Sequence, residues 1–374
     1  MKTARQQRQQ HEPRQPRHRR TVAAICAVAV VTAACGSSST ATSTTVAAGA
    51  SHGMASVACA GSLDKLYNVT IAPAFKAATG DTAGGPPCEG SMTLAQEILA
   101  KEISPGAFVA VGTGAIKTLF PDRAKFAIAI ASDPLVVAYS SKSRYYSQLN
   151  AIGSGSKPLS SLFSLLGTSG FRLGRTDPSQ DPQGEFFILM MKLAQTELHL
   201  PAGEAASDLG ISASHPYGTP SQEVSEDALP VDISTGVFDA GSEYLPEAKQ
   251  YGLDYITLPA GINFSDPADL STYESVSLDI YGTGVQEGEL INLDLTLLNP
   301  AAGATAPSAA GEAADQAFLV YLLSSGGRSV LAGAGYTLIP PRLTLAPGVS
   351  SASAALPASV LSAFTKLGGS IPTS

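Results

Sequence analysis

The chain has 374 residues, with 31 Asp and Glu against 23 Lys and Arg, and a formal net charge of −8. Residues 1–34 have the composition of an export signal and hold seven of the basic residues and one acid. Their removal leaves 16 basic residues against 30 acids, a net charge of about −14. Such an acidic chain lacks the basic surface that nucleic-acid binding requires, so no nucleic-acid partner is expected.

The first 56 residues indicate export. Residues 1–20 are polar and basic, residues 21–34 are small and apolar, and Ala33-Ala34-Cys35-Gly36 resembles the site at which bacterial lipoproteins are cleaved and lipidated. We predict a signal peptide over 1–34, a lipid on Cys35 and a flexible Ser/Thr/Ala/Gly tether over 35–56. The protein would then be exported and held at the outer face of the cytoplasmic membrane or in the periplasm. The alternative is an uncleaved signal anchor with a free Cys35 thiol.

Strands and helices alternate after the tether. We expect strands over 57–60, 108–111, 127–130 and 135–139, and helices over 63–79, 93–103 and 115–120. The first helix is expected to be interrupted near Pro73 and to end at Gly80. This alternation is typical of an α/β fold with parallel sheets.

Two cysteines, Cys59 and Cys88, remain once Cys26 leaves with the signal and Cys35 carries a lipid. Each stands just before a Gly-Ser pair, Gly61-Ser62 or Gly90-Ser91. If two neighbouring strands end at these points, the sulfurs can meet in a disulfide, which an oxidising compartment permits. The alternative is a pair of unrelated buried thiols.

The stretch from Phe171 to Thr196 combines a strand over 171–174, a turn-rich loop over 175–184 and a helix over 185–199. The helix is apolar nearly all round, which predicts burial. Asp181 fits the N-cap and Pro182 fits the first turn. Free backbone N–H groups at such a helix start form a site for an anion, although an ordinary capped helix that binds nothing is the alternative.

The other predicted elements complete a second α/β region and a return to the first. They are a helix over 159–166, a polar loop over 201–230, a helix over 244–251, strands over 255–259, 273–281 and 290–298, an Ala/Gly loop over 301–314, and helices over 315–323 and 329–333. We therefore predict one lobe from 57–138 and 259–345, a second lobe over 139–258, and a peripheral tail over 346–374. The cleft between two such lobes is the natural place for a ligand.

Catalytic motifs are incomplete. Ser62-Leu-Asp-Lys65 has the S-x-x-K spacing of β-lactamases, but neither S-D-N nor K-T-G follows. Gly112-Thr-Gly114 lacks the third Gly of a dinucleotide-binding turn. We expect a binding protein rather than an enzyme, without a cofactor or a metal. An enzyme that uses Ser62 as a nucleophile beside Lys65 is the alternative.

Four groups of residues stand in a recognisable order. They are Ala60–Leu63 with Ile71–Gly80, Gly90-Ser91 with Leu94–Ile98, Gly174–Pro178 with Asp181–Gly184, and Ala317–Ser324 with Gly327 and Val330-Leu331. In these groups the chain resembles the periplasmic-type substrate-binding proteins of ABC transporters, and most of all their molybdate/tungstate-binding branch. The segment Ala248–Pro259 also fits that branch, and the similarity covers about residues 57–345.

The resemblance implies a type II periplasmic-binding-protein (Venus flytrap) fold that holds a tetrahedral oxyanion between two α/β lobes. Ser62 and Ser91 would offer hydroxyl and backbone N–H donors from the first lobe, and the loop from Asp181 to Gly184 would contribute from the second. Plain helix capping is the alternative role of the two serines. A monomer that delivers its ligand to an ABC permease in the membrane is also implied.

The chain departs from the branch at the turn over 233–240. Ser234 stands where the tungstate-type proteins usually have a Glu, and Ala240 stands where they have an aromatic residue. Ser234 therefore takes the place of that Glu in the predicted ligand site, and strict tungstate selectivity is not expected. Molybdate, sulfate or another anion is left open as the ligand, as is a surface sensing or adhesion role without a small ion.

Overall fold

The computed structural model describes residues 52–281, 284–303 and 306–370. The predicted signal peptide, Cys35 and the tether up to residue 51 lie outside these residues. The described residues belong to one compact unit.

Strands form three sheets in the described part of the chain. The strands are β1 (Met54–Cys59), β2 (Thr82–Gly84), β3 (Ala107–Val111), β4 (Phe126–Ser132), β5 (Leu135–Tyr139), β6 (Leu173–Gly174), β7 (Ala240–Tyr244), β8 (Asp254–Thr257), β9 (Ser277–Ile280), β10 (Gly284–Glu287), β11 (Asn292–Leu297) and β12 (Thr337–Leu345). A six-stranded sheet has the order β12-β4-β11-β3-β1-β2, and a four-stranded sheet has the order β6-β7-β5-β8. The third sheet is the hairpin of β9 and β10.

Both larger sheets mix parallel and antiparallel pairs. β1 is parallel to β2 and β3, and β6 is parallel to β7. β11 and β12 return from far along the chain and pair antiparallel with their neighbours. The prediction of parallel sheets therefore holds only for the β1–β2, β1–β3 and β6–β7 pairs. β3, β4 and β5 are buried along their whole length, as expected of central strands.

The helices fill the connections between strands. They are α1 (Asp64–Leu66), α2 (Ala72–Thr79), α3 (Ser91–Ala100), α4 (Thr113–Lys117), α5 (Tyr146–Gly153), α6 (Ser160–Leu166), α7 (Pro182–Glu197), α8 (Glu204–Leu209), α9 (Leu229–Thr235), α10 (Leu245–Tyr251), α11 (Ala260–Asn263), α12 (Leu270–Tyr273), α13 (Ala309–Leu323), α14 (Ser325–Ala334), α15 (Ala352–Ala355) and α16 (Ala358–Lys366). A 3-10 turn over Gly61–Leu63 leads into α1, and a π turn over Tyr67–Ile71 joins α1 to α2. The π turn lies just before Pro73, where the sequence predicts an interruption, and Gly80 ends α2 with a φ of 83°.

Two local predictions are wrong. The strand expected over 273–281 begins only at Ser277, since Tyr273 ends α12. The loop expected over 301–314 gives way to α13, because Ser308 caps that helix by accepting a hydrogen bond from the Gly311 N–H.

Both ends of the described chain are more ordered than predicted. β1 begins at Met54, inside the stretch predicted as tether. Residues 352–366, predicted as part of a peripheral tail, form α15 and α16, and Val360 and Phe364 bury their side chains in the main core. The alanine-rich composition hides a regular apolar spacing here, since only one residue per turn of α16 needs to be large to pack.

No single helix in the described residues is long and apolar enough to cross a membrane. The consecutive helices α13 and α14 together reach the required length and composition, but they are bent by 62° at their junction.

A disulfide joins Cys59, at the end of β1, to Cys88. Ala60 and Glu89 form a parallel bridge directly after the two cysteines. The two segments therefore run side by side into their Gly-Ser turns, and the disulfide holds the turns next to each other.

Replacing both cysteines (Cys59→Ser with Cys88→Ser) is expected to lower the free energy of unfolding by about 3 kcal/mol, because the bond restricts the unfolded chain. The bond spans a sequence separation of 29 residues. Urea denaturation of the double variant measures the effect, and the reduced wild-type protein is the matched control. A double variant as stable as the oxidised wild type would contradict the prediction.

Candidate functional site

Two Gly-Ser turns lie side by side at one end of the six-stranded sheet. The Gly61 N–H donates to the Glu89 carbonyl (2.8 Å), and the Glu89 N–H donates to the Cys59 carbonyl (3.2 Å). These bonds bring Ser62 and Ser91 to the same end of the sheet. Both serines are buried, so their hydroxyls face the interior of the protein.

The start of α7 packs against the second turn. Asp181 is the N-cap of α7, and its Oδ1 accepts from the Gln183 N–H at 2.6 Å. A Cβ atom added at Gly90 would lie 2.6 Å from the Gln180 carbonyl oxygen and 2.9 Å from Asp181 Oδ2. The Thr93 N–H also donates to the Gln180 carbonyl at 3.3 Å. Glycine at position 90 is thus what permits the two segments to meet.

The two serine hydroxyls are used differently. Ser91 Oγ accepts from the Val111 N–H at 3.1 Å, which leaves its own O–H proton available to donate. Ser62 Oγ lies beside the Glu226 carboxyl and has no partner within ordinary hydrogen-bond geometry. The structure therefore brings Ser62, Ser91 and Asp181 together, and it adds Glu226 to them.

Five acidic side chains converge on this point from five segments, and we call them the acid cluster. Asp133 lies at the crossing from β4 to β5, Asp181 caps α7, Glu226 precedes α9, Glu243 lies on β7, and Glu247 lies in the first turn of α10. All five are at most 5% exposed. The ion pairs of the described residues are formed elsewhere in the fold. In the same residues, no group of three or more His, Cys, Asp or Glu is arranged to hold a metal ion.

Burial sets the protonation of the acid cluster. It raises the pKa of Asp133, Glu226, Glu243 and Glu247 well above the ordinary carboxyl range. Burial likewise raises the pKa of Asp181 to about 6, against the opposing effect of its hydrogen bonds. Repulsion between the acids adds to burial in the three glutamates. These shifts favour the neutral carboxylic acid, which can donate as well as accept hydrogen bonds.

Two cavities flank the start of α7. One has a volume of about 520 Å³ and is lined by Gly90, Thr176, Asp181 and Glu226, among others. The other has a volume of about 610 Å³ and includes Glu185 in its wall. The first cavity gives a small solute a path to the edge of the acid cluster.

The other predicted site residues have structural contacts. A Cβ atom at Gly184 would overlap the Thr176 carbonyl, so this glycine serves close packing of α7 against the preceding loop. The Ser234 hydroxyl donates to the Val231 carbonyl within α9 at 2.8 Å, away from the acid cluster. Lys65 Nζ donates to the Gln250 carbonyl at 2.7 Å, so it does not serve Ser62 as a base. The geometry therefore gives no support to the S-x-x-K nucleophile.

A buried arginine fixes the loop that carries Glu226. Arg175 is fully buried, and its guanidinium donates to the Tyr217 carbonyl (2.6 Å), to Thr176 O (3.0 Å) and to Glu223 Oε1 (2.8 Å). The Arg175 N–H and carbonyl also bond backbone groups of the same loop. Because Glu223 stands three residues before Glu226, these bonds determine where the Glu226 carboxyl lies.

Glu226, Glu243, Glu247 and Asp133 were not identified from the sequence. Their neighbours are polar or turn-forming, a pattern that usually marks solvent-exposed carboxylates. One weak signal was present, since Glu243 and Glu247 are four residues apart at a strand–helix junction. The convergence itself depends on tertiary pairing of β5 with β7, which no local pattern contains.

The fold and this site define a class of protein. Residues 55–337 match the family model of the bacterial extracellular solute-binding proteins. The chain belongs to that family, and its sheets and helices agree with the α/β class that the sequence predicts. The members are solute-binding proteins, so the expectation of a binding protein rather than an enzyme is confirmed.

Two relatives are named for their ligands. The chain is 26% identical over 180 residues to the molybdate/tungstate-binding protein WtpA of Thermococcus kodakarensis, which covers 44% of this chain and 49% of the relative. The chain is also 26% identical to WtpA of Pyrococcus abyssi, in an alignment that covers 44% of this chain and 50% of the relative. The chain thus spans about half the length of these relatives. A periplasmic molybdate-binding protein of Azotobacter vinelandii aligns in structure with a TM-score of 0.47 and 15% identity, over 76% of this chain and 99% of that one.

Proposed function

We propose that the protein is the extracytoplasmic receptor of an ABC-type importer and binds a tetrahedral oxyanion of the molybdate/tungstate type. The observation that supports the proposal is that three chain reversals, at Ser62, Ser91 and Asp181, meet at one end of the six-stranded sheet, beside a cavity whose wall includes Asp181. A desolvated oxyanion needs several convergent donors, and two serine hydroxyls at chain turns together with the start of the long helix α7 supply them. The similarity to the molybdate/tungstate-binding WtpA proteins supports the same ligand class.

The two larger sheets would be the cores of two lobes. The proposed division differs from the predicted one at a single point, because β5 pairs within the four-stranded sheet and the first crossing therefore falls at Asp133-Pro134 rather than at residue 139. Crossings between two sheets form the hinge in receptors that close around a ligand. Export, lipidation of Cys35 and a monomeric state complete the proposal.

The acid cluster distinguishes two ligand classes. As ionised carboxylates, its members would repel a dianion and would suit a cationic solute, which makes a cation the second candidate ligand. As neutral acids they donate hydrogen bonds to an oxyanion. The raised pKa values of four of the five residues favour the neutral form and hence the oxyanion.

A thermal-denaturation screen at pH 6 tests the proposal. Molybdate or tungstate at about a thousand times its dissociation constant is expected to add roughly 4 kcal/mol to the free energy of unfolding. Sulfate and phosphate test selectivity among oxyanions, and chloride at equal ionic strength is the control. The absence of a shift with all four oxyanions would refute the oxyanion receptor, and a shift with a divalent cation or an organic amine alone would favour the cationic ligand.

A further inference from the structure

Within the acid cluster, four carboxyls form two pairs. Asp181 and Glu226 lie within hydrogen-bonding reach of each other, as do Glu243 and Glu247. Ionised carboxylates can only accept hydrogen bonds, so a hydrogen-bonded pair requires a proton on one member. Each pair, buried without a cation beside it, is therefore expected to hold one proton.

No other group in the described residues neutralises these pairs. Outside the pairs, the hydroxyls of Thr176 and Ser62 lie against the carboxyls of Asp181 and Glu226, and no hydrogen bond from another described residue reaches Glu247 Oε2 or either carboxyl oxygen of Glu243. The titratable groups that face the pairs from neighbouring elements are themselves acids or phenols, namely Asp133, Asp177, Glu185, Tyr244 and Tyr336. Protons, rather than a lysine, arginine or histidine, are what balance charge here.

Buried neutral donors surround the pairs. Gln183 Nε2 and the Tyr244 hydroxyl belong to residues that are at most 1% exposed and have no hydrogen-bond partner, whereas the hydroxyls of Ser62 and Thr176 lie against the carboxyls of Glu226 and Asp181. An unpartnered buried polar group destabilises a fold, so a set of them on one crevice points to a ligand that completes their bonds. Three of these four groups carry a hydroxyl and the fourth carries an amide N–H, and all can donate to anionic oxygens.

We propose that the crevice binds its oxyanion together with protons, with Glu226, Glu243 and Glu247 acting as neutral carboxylic acids that donate to the ligand oxygens. This inference rests on the proposed function. The protons come from the buffer, because carboxyls that are ionised while open to water must be neutral when they are closed around a dianion. The overall reaction is protein plus dianion plus protons giving the closed complex, and no covalent bond of the ligand breaks.

Calorimetric titration with sodium molybdate at pH 6.5, in two buffers of different ionisation enthalpy, measures the protons taken up on binding. We expect at least one proton per molybdate. The dissociation constant is then expected to rise about tenfold per pH unit for each proton taken up, between pH 6 and pH 8. Binding with no proton uptake, or with proton release, would overturn the inference while leaving the oxyanion receptor intact.

The variant Glu247→Gln tests whether Glu247 takes up one of the protons that accompany molybdate binding. Glutamine keeps the size and a donor group but cannot gain a proton, so the uptake is expected to fall by about one proton per molybdate. Glu102→Gln is the matched control, since Glu102 is exposed just beyond the far end of α3, and its uptake is expected to equal that of the wild type. An unchanged uptake in Glu247→Gln would overturn the role of Glu247.

Different results would contradict the proposed function and the proton-linked binding mode. If molybdate, tungstate and sulfate all give no binding heat, the proposed function fails and the proton-linked mode falls with it. If manganese or putrescine binds instead with proton release, the crevice is a cation site and both are overturned.

Discussion

The free energy of unfolding is expected to fall by on the order of 5 kcal/mol as the pH rises from 5 to 8, in the absence of ligand. Burial raises the pKa of Glu185 to about 8, of Asp294 to about 7 and of Asp315 to about 6. In the unfolded chain these groups ionise near pH 4. A carboxyl whose pKa is higher in the folded state contributes its full stability below the unfolded pKa and loses it as the pH rises through the folded pKa. The loss is therefore expected between about pH 5 and pH 8.

Urea denaturation at pH 5, 6, 7 and 8 measures this dependence. Asp294→Asn is the informative variant, because Asp294 is buried and accepts from Thr113 Oγ1 at 3.2 Å, and asparagine retains an oxygen for that bond. The variant is expected to lose part of the pH dependence centred near pH 7. Stability that stays constant or increases from pH 5 to pH 8 would show that these acids are hydrated or paired in solution.

Gly184→Ala is expected to destabilise the fold by roughly 4 kcal/mol or more, or to prevent folding. The added Cβ would overlap the Thr176 carbonyl oxygen and lie 2.7 Å from its carbon. Both atoms belong to the backbone, so no side-chain rotation relieves the contact, and α7 must shift away from the loop. That shift also displaces Asp181, so ligand binding is expected to weaken with stability.

Gly333→Ala is the matched control for this substitution. Gly333 lies on the exposed side of α14, and a Cβ there meets no atom within 4 Å. Because alanine favours helix over glycine, this variant is expected to gain up to about 1 kcal/mol. The urea midpoints of Gly184→Ala and Gly333→Ala, measured side by side, test the prediction. Equal midpoints would mean that α7 can shift away from the Thr176 carbonyl without loss of stability.

The sequence predicts the fold where local signals and tertiary structure agree. Asp181 and Pro182 mark the start of α7 in the sequence, and the helix begins there, because capping is a local interaction. β12 was not predicted, since Pro340 and Pro341 interrupt its pattern. The sheet tolerates them because β12 lies at an edge and its register with β4 shifts between Leu338 and Arg342.

The site residues also divide into those that local patterns predict and those that only tertiary pairing brings into place. Ser62, Ser91 and Asp181 stand at turns that sequence patterns reveal, and the structure brings them together. Glu226 and Glu243 were overlooked because a single sequence carries no information on which polar residues a distant strand will bury. Ser234 was included because it stands where the tungstate-type proteins usually have a Glu, yet α9 uses its hydroxyl locally. The predicted site residues that the structure brings together are those that stand at chain turns.

The bonds of Arg175 make the segment from Tyr217 to Glu223 mechanically part of the four-stranded sheet, since one rigid guanidinium joins several points of the segment to the end of β6. Any displacement of that sheet carries the segment with it. A fluorophore attached at the exposed residue Ser221 would accordingly report the position of the whole sheet, not the fluctuation of a loop.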